Sequence, residues 1–286
     1  MPKRHCSVDR ATKFIFETAH LPAASAKHQL QSLLGLSIAE KAKVPDAASF
    51  ADVMATQVNQ TLAREIADGT FDPFAQDAKL LVLGCDIMRR RGVESSVLVS
   101  FTQDTTRALR NLDTIPTQLK GLAYLLDAVN GGPSLIGHQS DSDLPPLGQS
   151  LLLADSAKIQ QLCNAVAGVT LFGSREASGA TDDLMDSLSV LALQKLREYD
   201  FILGSALLRT LAYLKSGDSE TFDYAATYLE SQQKDDGRFG YYARELTEGP
   251  DLPDADLDIF LPVAVSVTWA LAEMTVPDLQ VVAPRS

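Results

Sequence analysis

No CxxC pair, no Cys–His cluster and no apolar run long enough to span a membrane occurs in this chain, and each absence excludes something. The three cysteines, Cys6, Cys85 and Cys163, are odd in number and far apart, so neither a disulfide scaffold nor a zinc ribbon is expected. Cys85 and Cys163 sit among apolar helix-forming residues, where a thiol acts as a small buried hydrophobe. Apolar runs such as 260–272 fall short of the about 20 residues that a spanning helix needs. Lys3, Arg4 and His5 are not followed by the apolar stretch of a secretory signal. The expectation is a soluble, cytoplasmic protein with no membrane span.

Basic charge is also scarce where it would matter for nucleic acid. Residues 1–92 hold 12 Lys/Arg against 10 Asp/Glu, but residues 93–286 hold 13 against 27. So acidic a surface repels a phosphate backbone, and no nucleic-acid partner is expected. The excess suits solubility. Arg89-Arg90-Arg91 closes a predicted helix, where cations complement the dipole. With 45% hydrophobic and 22% charged residues the mixture is that of a globular chain, not a disordered one. Its 286 residues suffice for one large core or two modest ones.

What the sequence does have is helical periodicity. Leu184, Leu188 and Leu191, then Phe201, Leu207, Leu208, Leu211 and Leu214, then Phe222, Ala225, Ala226 and Leu229 recur at three- and four-residue spacing. Residues 182–233 therefore read as three consecutive helices. Further helices are predicted over 50–67, 76–91, 103–112, 117–129 and 155–167. The segment 260–274 is apolar on nearly every side, which predicts a centrally buried helix, and Pro262 suits its first turn. The β-branched run 97–102 is the one rival for a strand. The fold class is all-α, with helical hairpins stacked in one array. Residues 1–45 read as an irregular N-terminal arm or cap and 46–286 as a helical-repeat domain. A sub-boundary would fall within the glycine- and proline-rich stretch 130–149.

Two segments share an ending. TLAREIADGTF at 61–71 and ATYLESQQKDDGRF at 226–239 both close on Asp-Gly-x-Phe. A glycine after a helix takes the left-handed conformation at little cost and reverses the chain. The aromatic then folds back over the helix ends, a device by which tandem helix pairs stack.

Tyr228, Leu229, Gln232, Gly237 and Phe239, within 224–242, resemble the glutamine–aromatic repeat of squalene–hopene cyclases and related prenyltransferase-type α/α toroids. The resemblance implies a toroid or partial toroid. It implies Gln232 as a helix-end cap, with Phe239 in the place of the family's usual tryptophan. The family's catalytic equipment is missing. No Asp-x-Asp-Asp acid is present, and Asp254, Asp256 and Asp258 lack the adjacent pair. The zinc ligands of protein prenyltransferases have no counterpart. His5-Cys6 reverses the Cys-His order of lanthionine cyclases.

Three other constellations could bear chemistry. Asp182, Asp183 and Asp186 spell the DDxxD of ionising terpene and prenyl diphosphate synthases, where such carboxylates hold Mg²⁺ on a diphosphate. The same acids suit the first turn of a helix through its dipole, and neither a second acidic motif nor a nearby basic cluster accompanies them. Asp254, Asp256 and Asp258 alternate like calcium ligands. Ile259 and Val265 stand where an EF-hand needs glycine and glutamate, so a solvated acidic loop is expected. His138 with Ser134 and Asp141 or Asp143 has no GxSxG turn to support a triad.

The sequence therefore points to a helical-repeat protein that binds an apolar small molecule or an extended peptide. By analogy with toroid families it would be an accessory or tailoring protein in bacterial natural-product biosynthesis. The expected ligand contacts are Phe239, Tyr241, Tyr242 and the sole tryptophan, Trp269. No cofactor is implied. The alternatives are an Mg²⁺-dependent enzyme of prenyl diphosphates, through Asp182, Asp183 and Asp186, and a structural protein–protein interaction module.

Overall fold

The computed structural model describes residues 2–130, 134, 135, 144, 151–170, 172–215, 219–240, 256–276, 279 and 281. Among these residues are eleven α-helices and no strand. They are α1 (Pro2–Thr18), α2 (Ala26–Lys41), α3 (Ala47–Ala67), α4 (Ala78–Arg90), α5 (Ser96–Arg110), α6 (Thr117–Asn130), α7 (Ser156–Val169), α8 (Asp182–Arg197), α9 (Phe201–Tyr213), α10 (Ser219–Ser231) and α11 (Leu261–Thr275). Many starts are marked by a small polar residue whose oxygen accepts a backbone N–H that the first turn leaves free. Asp155 accepts from Lys158 at 2.8 Å, Asp200 from Leu203 at 3.1 Å and Asp77 from Lys79 at 2.9 Å. The β-branched run at 97–102 lies inside α5. There Thr102 and Thr106 turn their hydroxyls back onto carbonyls one turn earlier, at 2.7 Å each.

The packing order is cyclic. α2 lies against α4, α4 against α6, α6 against α7, α7 against α9, α9 against α11, and α11 against α2 again. α3 packs on α2, α5 on α4 and α6, α8 on α9, and α10 on α8. α1 lies on both α2 and α11. Some seams of the cycle are closed tightly by glycine. A Cβ on Gly168 would stand 2.4 Å from the Gly121 Cα where α7 crosses α6. One on Gly84 of α4 would stand 2.5 Å from the Leu30 side chain of α2.

The first 45 residues, expected as an irregular arm or cap, are instead two helices. α2 buries Leu30, Leu33, Leu36 and Ile38 completely. It touches four other helices, α1, α3, α4 and α11, and so has hardly a solvent face. Its sequence, AKHQLQSLLGLSIAEK, has apolar and small residues nearly all round, which is the pattern of an enclosed helix and hides the one-sided spacing. Most of 130–149, where a sub-boundary was placed, lies outside the described residues.

α11 is enclosed in the same way. A π-helical turn, Asp256–Phe260, runs into it and makes a 20-residue helical stretch with an 18-residue window of mean hydropathy 1.5. By length and composition that stretch passes for a membrane span, which the apolar run alone was too short to do. Yet 67% of it is buried inside the protein, against α1, α2 and α9. A core helix satisfies the same pattern.

Both Asp-Gly turns follow a helix with glycine in the left-handed region, Gly69 at φ +70° and Gly237 at φ +94°. Both aromatics turn inward, Phe71 and Phe239 being buried. Their surroundings differ. Nothing lies within 4 Å of a Cβ placed on Gly69, whereas one on Gly237 would stand 2.3 Å from the Arg10 carbonyl oxygen of α1. Gln233 donates to the Ser7 carbonyl at 2.7 Å and accepts from the Ser7 hydroxyl at 2.8 Å. The turn therefore fastens α1 to the C-terminal end of α10. It is Gln233 that reaches across; the side chain of Gln232, the residue matched to the family's cap, hydrogen-bonds its neighbour Ser231 at 3.3 Å.

Candidate functional site

In the middle of the helix cycle is a cavity of about 320 Å³, walled by five helices. α2 contributes Lys27, Gln31 and Leu34, α4 Lys79, Leu80 and Leu83, and α7 Gln160, Cys163, Asn164 and Ala167. α9 contributes Ile202, Ala206, Arg209, Thr210 and Tyr213, and α11 Pro262, Val265, Ser266 and Trp269. The spacing within each helix is three or four, so each presents a single stripe to the space. Four of the five stripes begin in the first turn of their helix. Lys27, Ile202 and the α4 cap Asp77 are exposed, while Leu34, Leu83, Tyr213 and Trp269 further along are buried. The mouth is thus ringed by helix N-termini, and the floor lies about three turns in.

The floor is aromatic. Phe172, in the turn after α7, stacks on Trp269 with ring centroids 5.8 Å apart and meets Tyr213 edge-on at 6.2 Å. Its backbone sits at φ +53°, a strained place for a bulky side chain. Phe172 and Tyr213 also line a smaller space of about 110 Å³ beyond, together with Glu273. Trp269 donates its indole N–H to Glu273 at 2.9 Å. Burial pushes the Glu273 carboxyl up to about 7, against the opposing pull of Trp269, Tyr213, Arg209 and Lys41. The Tyr213 phenol is driven well above its ordinary value, by burial first and by Glu273 second.

Three cations face the cavity: Lys27, Lys79 and Arg209. The Arg209 guanidinium lies 4.3 Å from the centroid of the Trp269 ring, a cation–π contact. Burial lowers the Lys79 ammonium below the usual lysine value, with Asp77 opposing. The Asp77 carboxylate itself caps α4. Cys163 is free, buried in the same wall and pushed up by burial, as a structural thiol is.

Of the residues singled out in the sequence, Trp269 lies on this wall. Phe239 is 1% exposed and packed into the core, apart from the cavity lining. Tyr241 and Tyr242 lie outside the described residues, as do His138, Asp141, Asp143 and Asp254. Asp182, Asp183 and Asp186 are exposed on α8, a helix that contributes nothing to the cavity. Thr181 accepts from the Leu184 amide at 3.3 Å, so these acids occupy the first turn after a cap. Among the described residues no group of three or more His, Cys, Asp or Glu is placed to hold a metal ion. Asp256 pairs with Arg238 at 2.9 Å and Asp258 with His28 at 3.2 Å. The arginine triplet is absorbed by the scaffold. Arg89 donates to the Val129 carbonyl of α6 at 2.7 Å, Arg90 pairs with buried Asp86 at 2.9 Å, and Arg91 pairs with Glu40 and Asp52.

Sequence reasoning missed Arg209, Lys79, Phe172 and Glu273. The signal in reach was the stripe Ile202, Ala206, Arg209, Tyr213, a cation in an otherwise apolar face. What faced it was not readable. Compared with known protein families, curated proteins and solved structures, the chain matches none of them.

Proposed function

We propose that this chain is an α/α toroid whose central cavity binds one small, largely apolar molecule. The toroid reading is supported by the cyclic packing order and by helices α3, α5 and α8 each backing a member of the cycle. The binding reading rests on one observation, the cavity of about 320 Å³ among Leu34, Leu80, Leu83, Phe172, Val265 and Trp269. Its size and mixed lining are those of a ligand site. At the ~30 Å³ that a water molecule occupies, it holds roughly ten non-hydrogen atoms. That volume suits a small molecule better than an extended peptide.

Trp269 is the only tryptophan of the chain, so its emission reports on the cavity floor. Native mass spectrometry of protein purified gently from its source, followed by tryptophan titration with small apolar probes, tests the reading. The expected result is a retained small-molecule mass, or a saturable change in Trp269 emission. A bare mass together with an unresponsive tryptophan across the probe series would reject it.

A further inference from the structure

We infer that the molecule held in the central cavity carries an anionic head group, a carboxylate or a phosphate monoester, bound by Arg209 and Lys79. This inference rests on the cavity being a ligand site. It adds the chemistry of the ligand, and that comes from the charges rather than from the volume.

The chain as a whole is acidic, with a formal net charge of −12. Its central cavity has the opposite sign. Lys27, Lys79 and Arg209 line it against a single carboxylate, Asp77, and that carboxylate is engaged by the α4 backbone at 2.9 Å. Among the described residues several other partly buried cations are paired. Arg90 is paired with Asp86, Arg91 with Glu40 and Asp52, Arg238 with Asp236 and Asp256, and Lys195 with Glu198. Among the described residues Arg209 and Lys79 have no ion pair and no side-chain hydrogen bond. Lys79 has only the more distant charge of Asp77 and Arg209 only that of Glu273. A partly desolvated cation with no paired carboxylate is unfavourable, so the exception calls for a partner that enters from solution.

The geometry says how that partner binds. The Arg209 guanidinium is placed against the indole of Trp269 at 4.3 Å, which pre-orients it. Its N–H groups have no acceptor among the described residues. Such a fork matches two oxygens of a carboxylate or phosphate at once. Lys79 supplies a second cation from the α4 side, and the helix N-termini around the mouth add partial positive charge of the same sign. On the same wall the side-chain oxygen of Gln31 is buried without a partner. Between Lys79 at the mouth and Arg209 on the floor, Leu34, Leu80, Leu83 and Val265 also line the cavity, and an apolar chain fits against them.

Octanoate, octyl phosphate and 1-octanol share a tail and differ in head group, and all are near the size of the cavity. Titrations followed by Trp269 emission, on the full chain and on Arg209→Met and Lys79→Met, decide the matter. The two variants are first checked for an unchanged far-ultraviolet spectrum. At least one anion is expected to bind tenfold or more tightly than 1-octanol, with affinity falling as salt rises. Arg209→Met or, should it not fold, Lys79→Met is expected to reduce that anion to the level of the alcohol. Preference for octanoate assigns a carboxylate, and preference for octyl phosphate assigns a phosphate. If 1-octanol binds as tightly as both anions, the head-group inference is overturned while the apolar cavity stands. If an anion preference survives unchanged in both variants, the assignment to these residues is overturned. If none of the three probes moves Trp269 emission, the cavity reading beneath the inference fails with it.

Discussion

At the scale of single residues, Glu273 is the most consequential side chain that carries no obvious signal in the sequence. Within 274 residues of its start the chain has many glutamates on helices, and nothing in ALAEMT marks this one as enclosed. Its neighbours in space explain its chemistry: Trp269 and Tyr213 hold the carboxyl, and burial favours its neutral form, raising it from 4.5 to about 7. The unfolded chain releases this proton near its ordinary value, whereas the folded chain holds it to about 7. Between those values the native state binds more protons, so stability is fully present below about pH 4.5 and is lost as pH rises through 7. Given some residual exposure, the loss is on the order of 2–3 kcal/mol. Arg209 and Lys41 pull the other way. Glu273→Gln retains an acceptor for Trp269 and is expected to flatten the decline. Urea unfolding midpoints of both proteins at pH 5 and pH 8 check this. An equal decline in the variant would mean that other groups carry it.

Elements meet through glycine in this fold, and three substitutions measure how much depends on that. At the α6–α7 crossing a Cβ on Gly168 lies 2.4 Å from the Gly121 Cα. The obstacle is backbone, which cannot rotate away. Alanine would gain about 1 kcal/mol of helix propensity, but forcing the helices apart costs more, as overpacking of 1–3 kcal/mol per site and above does. Gly168→Ala is expected to lower stability by roughly 1–2 kcal/mol net, seen as a lower urea midpoint at an unchanged slope. The two Asp-Gly turns give a sharper comparison. Gly69→Ala meets open space, so it carries only the left-handed strain of roughly 1 kcal/mol. Gly237→Ala carries the same strain and also drives a methyl into the Arg10 carbonyl at 2.3 Å, which displaces α1. The second substitution is expected to cost at least about 2 kcal/mol more than the first. Equal effects would show that α1 is not fastened there.

For the whole molecule, the order of packing has a thermodynamic consequence. In an open stack of helix pairs each unit contacts only its neighbours, and the ends unfold before the middle. Here α11, the last described helix, packs on α2, near the start of the chain, and α1 covers both. Neither the first nor the last described helix lacks such contacts. Unfolding is therefore expected in one step, with Trp269 emission and far-ultraviolet ellipticity following the same curve. Trp269 stands on α11 at the closing seam, so an open array would show its emission changing first.

The legible part of this protein was what depends on short-range pattern. Three- and four-residue spacing located α8, α9 and α10 within a few residues, because the spacing marks the face they turn to the core and the chain has turn residues between them, while α11 was legible as a long run apolar on nearly every side. The left-handed glycines of the two Asp-Gly turns were legible for the same local reason. α2 was not, since a helix enclosed on all sides shows no stripe, and its 16 residues read as irregular. The site was illegible for a different reason. Lys79 and Arg209 are 130 positions apart in sequence, and Phe172 and Trp269 are 97 apart; only the cyclic packing brings each pair to one cavity. The sequence by itself determined an all-helical chain, its turns and its acidic surface, all of which follow from local conformational preference and composition. Tertiary structure alone decided that Gly237 is jammed where Gly69 is free, and that three cations of an acidic protein line its cavity, because both depend on which distant helix lies opposite.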